Sequence, residues 1–462
     1  MSTWLPPISL HSLAIAVSIL AYVLTARAER ERERRPPSIA IAWVLGMIAL
    51  PYLVLPMYLL FGRRKLQRKV LPRSSARCNA GHWAQDLIQS FGLPPCSRAR
   101  ISLHQDGDES AAALFSTMSG AQSRLDICTY ILGDDDFGRK AMQHMMERAR
   151  SGVEVRLLLD GVGAIQLPKA CFKALELGGV ETATFSPLFA RRTQGPRNLR
   201  NHRKMVIADG SRLWAGGRNL AAEYFTGAAG APPWRDLTFD LQGRVAAAAA
   251  AQFESDWVAA GGKPTSAEIV PLNPRSLAAL DHERAGEAQF LPSGPDQSED
   301  TVHALLIDAC FQARDRMLAV TPYFVPDVSL ETAMRLAARR GVRIDLCIPR
   351  SSNHKLADFA RNRALRSLSL AGVNVHLLPD MCHAKAVVFD NALALSGSVN
   401  LDSRSLLLNY ECAVVFYGRT EIDWLAKWVE ALIPHTVAFD GRPPGLVRDL
   451  CEGLLLTVAY QL

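Results

Sequence analysis

The chain has 462 residues, enough to bury two domain-sized hydrophobic cores. Its net charge of +7 indicates an anionic partner, either a phospholipid surface or nucleic acid, although such an excess is also common on proteins that bind neither. The nine cysteines are scattered and never spaced as Cys-x-x-Cys, which argues against a disulfide framework and a structural zinc site. Cys128 and Cys347 lie in apolar runs and are predicted to be core residues.

Two apolar runs without formal charge, Ile8–Ala26 and Ile39–Phe61, begin the chain. Each can cross a hydrocarbon core of about 30 Å at about 1.5 Å per residue. Pro51 and Pro56 leave room for a kink in the second run, because proline interrupts the hydrogen bonds of a helix. We therefore expect a membrane anchor over residues 1–70, with transmembrane helices at about 8–26 and 39–61. Two buried helices of a soluble protein are the alternative.

Basic residues flank the second apolar run on both sides. The loop at 27–35 carries five arginines among three glutamates, and residues 63–73 carry six Lys and Arg. A helical hairpin places these two clusters on opposite sides of a membrane, and the positive-inside rule barely separates them. We expect the region after the anchor to be cytoplasmic.

From about Arg100 onwards, a strand–helix–strand pattern occurs twice. The predicted segments are 124–132, 137–150 and 152–160 in the first copy, and 316–324, 330–340 and 341–349 in the second. This order implies right-handed crossovers and parallel strand pairing. The sequence therefore predicts an α/β protein with two related domains.

A helical stretch and a linker separate the two copies. Val245–Ala260 contains six consecutive alanines and is predicted to be a closely packed helix. A Gly- and Pro-containing linker follows at about 261–295. These boundaries give a first domain over 100–260 and a second over 296–462.

One eight-residue pattern, His-x-Lys-x-x-x-x-Asp, occurs once in each domain. It begins at His202 in the first domain and at His383 in the second. Side chains two apart in an extended strand lie on one face, so Lys204 is expected to point the same way as His202, and Lys385 the same way as His383. These histidines and lysines are the residues suited to chemistry on a phosphodiester.

Unlike the histidine and lysine, the aspartate of each motif is predicted to be structural. Asp209 precedes Gly210 and Asp390 precedes Asn391, and both pairs are signals for two-residue hairpin turns. An aspartate seven residues after the histidine also faces the other side of an unbroken strand. We interpret both aspartates as supports of the turn.

Each hairpin returns into a small-residue turn that ends in asparagine. Glycine in these turns permits close approach of the backbone, and Asn219 and Asn400 carry amide hydrogens suited to a phosphoryl oxygen. A single His-x-Lys pair is more often an ordinary surface pair. Two copies with matching turns and matching upstream units indicate one phosphoryl site built by both domains.

Through both complete motifs, the sequence resembles the phospholipase D superfamily. Within this superfamily, it most resembles the bacterial cardiolipin synthases. The segments that carry the narrower resemblance are Tyr58–Lys65, Arg200–Lys204, Gly216–Asn219 with Glu223-Tyr224, Trp234–Asp236, Ser293–Pro295, Thr321–Phe324, Asn400–Ser405 and Asn409–Glu411. The resemblance implies two phospholipase D-like α/β domains about a pseudo-twofold axis, with one shared active site. It also implies a multi-pass protein of the bacterial inner membrane.

The resemblance further assigns roles to individual residues. The motif residues form its catalytic set, namely His202, Lys204, Asp209, His383, Lys385 and Asp390. His202 corresponds to the nucleophile that forms a phosphohistidine, and His383 to the general acid and base. Lys204, Lys385, Asn219 and Asn400 neutralise the phosphoryl oxygens. Asp236 and Glu411 match the carboxylates that orient the histidines, and no metal or other cofactor is required.

These residues imply a membrane-embedded phosphatidyltransferase that makes cardiolipin and glycerol from two molecules of phosphatidylglycerol, with no nucleic acid partner. A phospholipase D-type hydrolase and a transferase with another donor, such as phosphatidylethanolamine, are the alternatives, because water and an alcohol attack the same phosphohistidine. A non-catalytic membrane scaffold is a further alternative.

The sequence departs from the family pattern at Ser352–His354, where many relatives have Asp before His, and at a C-terminus without the usual Pro-Leu-Leu.

Overall fold

The computed structural model describes residues 9–29, 37–61, 81–187, 198–228, 230–265 and 285–456. The chain divides into two compact units. One contains the N-terminal segment up to Lys65, and the other contains both predicted α/β domains.

The described part of the N-terminal segment contains three helices, α1 (Leu10–Glu29), α2 (Pro37–Ala49) and α3 (Pro51–Phe61). The second predicted apolar helix is thus divided at Leu50, and Pro51 begins the next helix, where its missing N–H costs no helical hydrogen bond. Within the described ranges, no helix has both the length and the apolar character that a membrane crossing needs.

The first half of the larger unit begins with alternating helices and strands, and four consecutive strands and a helix follow. They are α4 (Trp83–Ser90), β1 (Ser97–His104), α5 (Gly107–Ser119), β2 (Arg124–Thr129), α6 (Asp136–Arg150), β3 (Glu154–Asp160), α7 (Lys169–Leu177), β4 (Glu181–Phe185), β5 (Met205–Ala208), β6 (Arg212–Gly216), β7 (Thr238–Gly243) and α8 (Arg244–Ala259). The predicted strand–helix–strand unit corresponds to β2, α6 and β3, and β2 pairs with β3 in parallel, as predicted.

The second half repeats the arrangement. Its elements are β8 (Ala285–Ser293), α9 (Thr301–Gln312), β9 (Arg316–Val320), β10 (Phe324–Val325), α10 (Val328–Arg339), β11 (Arg343–Pro349), α11 (Lys355–Ala360), α12 (Asn362–Ala371), β12 (Asn374–Leu378), β13 (Ala386–Phe389), β14 (Leu393–Gly397), β15 (Leu401–Asp402), α13 (Ser403–Leu407), β16 (Glu411–Phe416), α14 (Arg419–Leu432), β17 (Val437–Ala438) and α15 (Leu446–Leu456). Here β9 and β11 form the predicted parallel pair.

The two halves share one 15-stranded sheet in the order β17-β12-β11-β9-β13-β14-β16-β8-β1-β7-β6-β5-β2-β3-β4. They join where β1 and β8 pair antiparallel, with Ser97 opposite Ala288 and Arg100 opposite Ala285. The first half contributes seven strands and the second half eight. Counted from this central pair towards each edge, corresponding strands follow in the same order. The fold class predicted from the sequence, two related α/β halves, is confirmed, and the join is a shared sheet.

The predicted linker over 261–295 is wrong at its C-terminal end, because Ala285–Ser293 forms β8 at the centre of the sheet. Gly286 and Pro292 resemble loop residues in the sequence. The strand is stabilised by partners distant in sequence, β1 on one side and β16 on the other. Local sequence patterns carry no information about such pairing.

Residues predicted to be buried are found in the core. The alanine run lies on α8, where Ala246, Ala249 and Ala250 are buried against the sheet. Cys128 and Cys347 are also buried, and the described cysteines are free thiols.

Candidate active site

The fold brings both His-x-Lys motifs to one place, and each histidine is paired with a carboxylate from the other half. His202 Nδ1 lies 3.0 Å from Glu411 Oε1, and His383 Nδ1 lies 2.8 Å from Asp236 Oδ2. Both carboxylates are completely buried. The predicted orienting residues are therefore in contact with the histidines, and the structure adds that the pairing is reciprocal between the halves.

Backbone hydrogen bonds explain this crossing. The His202 amide donates to the carbonyl of Tyr410 at 2.8 Å, and the His383 amide donates to the carbonyl of Arg235 at 2.7 Å. Each histidine is thus anchored to the residue just before the opposite carboxylate. These two connections place both imidazoles between the halves.

The prediction that the histidines and lysines lie on regular strands is wrong. The strands β5 and β13 begin only after the lysines. Lys204 Nζ instead folds back and donates to the carbonyl of His202 at 2.8 Å. Lys385 Nζ lies 2.9 Å from His383 Nδ1 and 3.0 Å from Nε2, and it also donates to the His383 carbonyl. Each lysine remains beside its own histidine, which is the juxtaposition that the phosphoryl chemistry needs.

Serine hydroxyls hold Glu411 in place. Ser398 Oγ donates to Oε2 at 2.5 Å and Ser405 Oγ donates to Oε1 at 2.6 Å. The sequence interpretation missed both serines, although Ser398 lies in the turn Gly397–Asn400 that it had singled out. Hydroxyl donors fix the direction in which the carboxylate faces His202.

Asp236 is held differently, by a close-packed backbone. Its Oδ1 accepts a hydrogen bond from the Leu237 amide at 2.7 Å. A Cβ atom on Gly217 would lie 2.1 Å from Oδ1 of Asp236, so no larger residue fits there. Gly217, the second residue of the turn Gly216–Asn219, therefore makes room for the carboxylate that orients His383.

Burial sets the protonation of the two histidines. It lowers the pKa of His202 to about 4 despite the opposing effect of Glu411. Burial and then the charge of Lys385 lower the pKa of His383 to about 3, despite Asp236. Both imidazoles are therefore neutral near pH 7, and a carboxylate that accepts from Nδ1–H leaves the Nε2 lone pair available for reaction.

The lysines are also affected by burial, which lowers the pKa of Lys204 to about 8 and that of Lys385 to about 7. Burial alone would raise the pKa of Glu411 and Asp236, but their histidine partners and Lys204 or Lys385 hold both below the usual value. The centre thus combines two desolvated ammonium groups with two carboxylates. A bound anion interacts strongly with such poorly solvated ammonium groups.

The two asparagines differ in their contacts. Asn219 Nδ2 donates to the hydroxyl of Tyr224 at 2.8 Å, and its Oδ1 accepts from the Ile131 amide at 3.3 Å. Oδ1 of Asn400 is buried without a hydrogen-bond partner in the described part of the chain. The side chain of Asn400 also hydrogen-bonds the carboxylate of Asp402.

Aromatic side chains surround the histidines and limit the access of water. The ring of Tyr130 lies 4.9 Å from that of His202, and the rings of Tyr224 and Trp234 lie 5.1 and 5.7 Å from that of His383. The side chain of His202 is 14% exposed, whereas that of His383 is 3% exposed. The first histidine is the more accessible one.

The residues at which the sequence departs from the family pattern lie beside this aromatic group. Tyr323, whose ring is 6.4 Å from that of His383, donates its hydroxyl to Asn353 Oδ1 at 2.5 Å and packs edge-on against His354. His354 therefore contacts Tyr323, which lies between it and the ring of His383.

The motif aspartates lie at the far end of the hairpins. Lys204 and Asp209 are five residues apart, about 16 Å along an extended chain at about 3.3 Å per residue. Asp209 accepts from the amides of Gln122, Ser123 and Arg124 at 2.8–2.9 Å. Asp390 accepts equivalent bonds from the amides at 314–316. The geometry supports their interpretation as structural residues within the catalytic motif.

The hairpin connections hold one residue more than predicted. Strand register places Ala208 opposite Arg212 and Phe389 opposite Leu393, which leaves three connecting residues in each case. Asp209 and Asp390 adopt positive φ values of 52° and 50°, a conformation that aspartate tolerates better than most residues. The extra residue lets each aspartate turn toward the amides that it accepts from.

Replacing Asp209 by alanine should reduce stability and leave the chemistry intact. Three backbone amides lose a charged acceptor, so we expect a loss of about 1–3 kcal/mol in the free energy of unfolding. Thermal and denaturant unfolding of the variant would measure this, with Asp390→Ala as the matched change in the other half. A loss of turnover in folded protein would contradict the structural interpretation.

The described residues include no group of three or more His, Cys, Asp or Glu side chains arranged to hold a metal ion.

Comparison with known proteins relates this arrangement to a family. The family model described as "Cardiolipin synthase, PLD-like domain" matches residues 114–257 and 306–433, one match in each half. A second model, "Phospholipase_D-nuclease N-terminal", matches residues 14–63. The two matched halves include both histidine motifs.

Whole-chain relatives agree with these matches. Cardiolipin synthase A of Pseudomonas aeruginosa is 31% identical over 451 residues, which cover 91% of this chain and 90% of the relative. Cardiolipin synthase 1 of Bacillus cereus is 29% identical and covers 87% of this chain and 84% of its own. The crystal structure of phosphatidylserine synthase from Haemophilus influenzae shares the fold, with a TM-score of 0.61 at 14% identity over 82% of this chain and all of that one.

Proposed function

Since this chain belongs to the family of cardiolipin synthases with phospholipase D-like domains, we propose that it is a phosphatidyltransferase that converts two molecules of phosphatidylglycerol into cardiolipin and glycerol. The observation that carries the proposal is the reciprocal pairing of His202 with Glu411 and of His383 with Asp236. Two oriented imidazoles, one to attack phosphorus and one to exchange a proton, with a lysine beside each, are suited to transfer a phosphoryl group in two steps.

In the first step, Nε2 of His202 attacks the phosphorus of one phosphatidylglycerol. A P–N bond forms and the bond from phosphorus to the head-group glycerol oxygen breaks. His383 gives a proton to the departing glycerol. His383 takes up this proton from solvent when the lipid binds, because the anionic phosphodiester stabilises the imidazolium and so raises the pKa of His383 against the effect of burial.

In the second step, the acceptor is the free glycerol hydroxyl of another phosphatidylglycerol. Neutral His383 removes the proton of this hydroxyl, a new P–O bond forms, and the P–N bond to His202 breaks. The chain ends in its starting protonation state. Water at the same place would give phosphatidic acid, and the aromatic rings around His383 support transfer over hydrolysis because they limit entry of water.

Lys204 and Lys385 neutralise the oxygens of the five-coordinate phosphorus. Their desolvated ammonium groups are worth more in this buried centre than in water, since less screening separates them from the developing charge. Asn219 and Asn400 are proposed to donate to the same oxygens when lipid is bound.

The pH dependence of kcat/KM should be bell-shaped. Protonation of His202 removes the nucleophile at low pH, near its pKa of about 4. On the alkaline side, the lowered pKa of Lys385, about 7, and of Lys204, about 8, means that their charge is lost as the pH rises through 7 to 8. Initial rates between pH 4 and 10 would measure both limbs.

Lys385→Arg is the matched control, because arginine stays charged over this range. Its alkaline limb should move upward in pH even if the maximal rate falls. An alkaline limb that is unchanged in this variant would contradict the assignment to Lys385.

We also propose that residues 1–70 anchor the enzyme in the bacterial inner membrane, with transmembrane segments at about 8–26 and 39–61 and a cytoplasmic catalytic region. The apolar runs and the match of residues 14–63 to an N-terminal family model support the anchor. Removal of residues 1–70 should release the protein from membranes, and fractionation would measure this.

The decisive assay supplies purified full-length protein with labelled phosphatidylglycerol in detergent, without added metal, and follows the lipid products. Cardiolipin with an equal amount of free glycerol is the expected result. Phosphatidic acid as the only product would identify a hydrolase, and turnover only with labelled phosphatidylethanolamine would identify a different donor.

A further inference from the structure

Arg203, which lies between His202 and Lys204 in the first motif, is completely buried. The second motif has no arginine at the equivalent position. The guanidinium of Arg203 lies 2.6 Å from Asp256 Oδ1 and 3.0 Å from Asp296 Oδ1. Ala384 is at the equivalent position of the second motif. The two half-sites, which already differ in the groups that hold Glu411 and Asp236, are therefore also chemically unequal at this position.

Arg203 also connects the two chain segments that form the His202 half-site. Its Nε donates to the backbone carbonyl of Glu411 at 2.9 Å, and its Nη2 donates to the carbonyl of Ser293 at 3.1 Å. Glu411 is the residue whose carboxylate meets His202 Nδ1. One side chain thus ties the backbone of the orienting carboxylate to the residue next to the nucleophile.

The surrounding groups hold Arg203 rigidly. Gln252 Nε2 donates to both partner carboxylates, at 2.9 Å to Asp256 and 2.9 Å to Asp296. Asn201 Nδ2 donates to Asp256 Oδ2 at 3.0 Å. Asp256 lies on α8 and Asp296 follows β8, so the cluster joins the end of one half to the start of the other.

Backbone contacts alone do not distinguish the half-sites. The His202 and His383 amides make matching bonds across the halves, at 2.8 and 2.7 Å. Among the residues that the structure describes, only the first half-site has the additional link from a buried arginine to the backbone of its orienting carboxylate. A nucleophile that must meet phosphorus in line benefits from tighter positioning than a group that only transfers protons.

We propose that Arg203 is a positioning residue that fixes Glu411 against His202 and so makes the first motif the site of covalent attachment. The proposal rests on the proposed function, since it assumes a phosphatidyl group carried on His202. It assigns no contact between Arg203 and the lipid. Arg203 acts through Glu411.

The test compares Arg203→Met with a matched buried arginine elsewhere. Arg156 is equally buried and pairs with Asp126 at 2.7 Å and Glu254 at 2.8 Å, without a bond to the catalytic carboxylates. Single-turnover reactions with labelled phosphatidylglycerol, quenched on a rapid time scale, measure formation of the phosphatidyl-enzyme. Steady-state kinetics supply kcat and KM.

In Arg203→Met, formation of the phosphatidyl-enzyme should slow by up to about 100-fold, the cost typical of displacing a reacting group by about 1 Å. KM should change little, because Arg203 does not touch the substrate. Arg203→Lys should recover part of the rate, since one ammonium group cannot serve both the carboxylates and the Glu411 carbonyl. Arg156→Met should lose stability and keep its rate of covalent attachment.

If Arg203→Met does not fold, a second variant tests the same proposal. Arg203→Met with Asp256→Asn and Asp296→Asn removes the whole buried charge cluster, and neutral replacements of buried ion pairs are often tolerated. This triple variant should show the same slow attachment. Attachment at the wild-type rate in Arg203→Met or in the triple variant would overturn the proposal. An equal slowing of attachment in Arg156→Met would also overturn it. Wild-type protein that forms neither adduct nor product would instead overturn the proposed function.

Discussion

Replacing His202 by alanine is expected to abolish turnover, with a fall in kcat of at least about 10⁴-fold. The residue supplies the bond to phosphorus, and removal of a nucleophile that acts as part of a unit costs about as much as removal of the whole unit. The structure supports this role because His202 is neutral, oriented by Glu411 and the more exposed of the two motif histidines. Product formation from labelled phosphatidylglycerol measures the loss.

His376→Ala is a matched control for this change. His376 also pairs with a carboxylate, Asp345 at 2.9 Å, but it lies on β12 near one edge of the sheet. The control should retain near wild-type turnover. Full activity in folded His202→Ala would remove His202 from the mechanism and leave His383 as the candidate nucleophile.

Replacing His383 by glutamine should lower turnover of phosphatidylglycerol by about 10²–10⁴-fold, the contribution typical of general acid–base catalysis. A phosphatidyl ester of p-nitrophenol needs no proton for its leaving group. With this substrate, the variant should release p-nitrophenol in a burst and then retain the phosphatidyl group on His202, because no base activates the acceptor. Mass spectrometry of the quenched protein would locate the adduct.

The same substrate separates the two histidines by their roles. His202→Gln should give neither burst nor adduct. A burst with the adduct on His383 in that variant would mean that the roles are reversed. It would also contradict the inference drawn from Arg203, since the arginine belongs to the half-site of His202.

The fold class and the catalytic groups were accessible from the sequence because both have local signatures. The strand–helix–strand units show apolar runs and glycine boundaries that depend on neighbouring residues alone. The His-x-Lys motifs and the Gly-x-x-Asn turns occupy matching places in both halves, whereas the orienting carboxylates Asp236 and Glu411 are implied only by the family resemblance. Duplication made each signal visible twice.

The predictions that failed concern residues whose positions depend on distant partners. Gly286 and Pro292 favour a linker in the sequence, whereas the structure pairs this segment with β1 on one side and β16 on the other as strand β8. Regular strands were expected at the histidines, yet each of these segments leaves its own strand to bond the opposite half. Ser398 and Ser405 acquire their roles only from the buried carboxylate between them.

The sequence by itself determined the duplicated motif and hence two histidines, two lysines and the reaction class that they suit. It did not determine which carboxylate orients which histidine. Only the tertiary structure decided that Glu411 meets His202 and Asp236 meets His383, because this pairing arises from backbone bonds between residues about 150–210 positions apart. It also decided the asymmetry of Arg203, whose partners come from three separate segments and converge only when the shared sheet is formed.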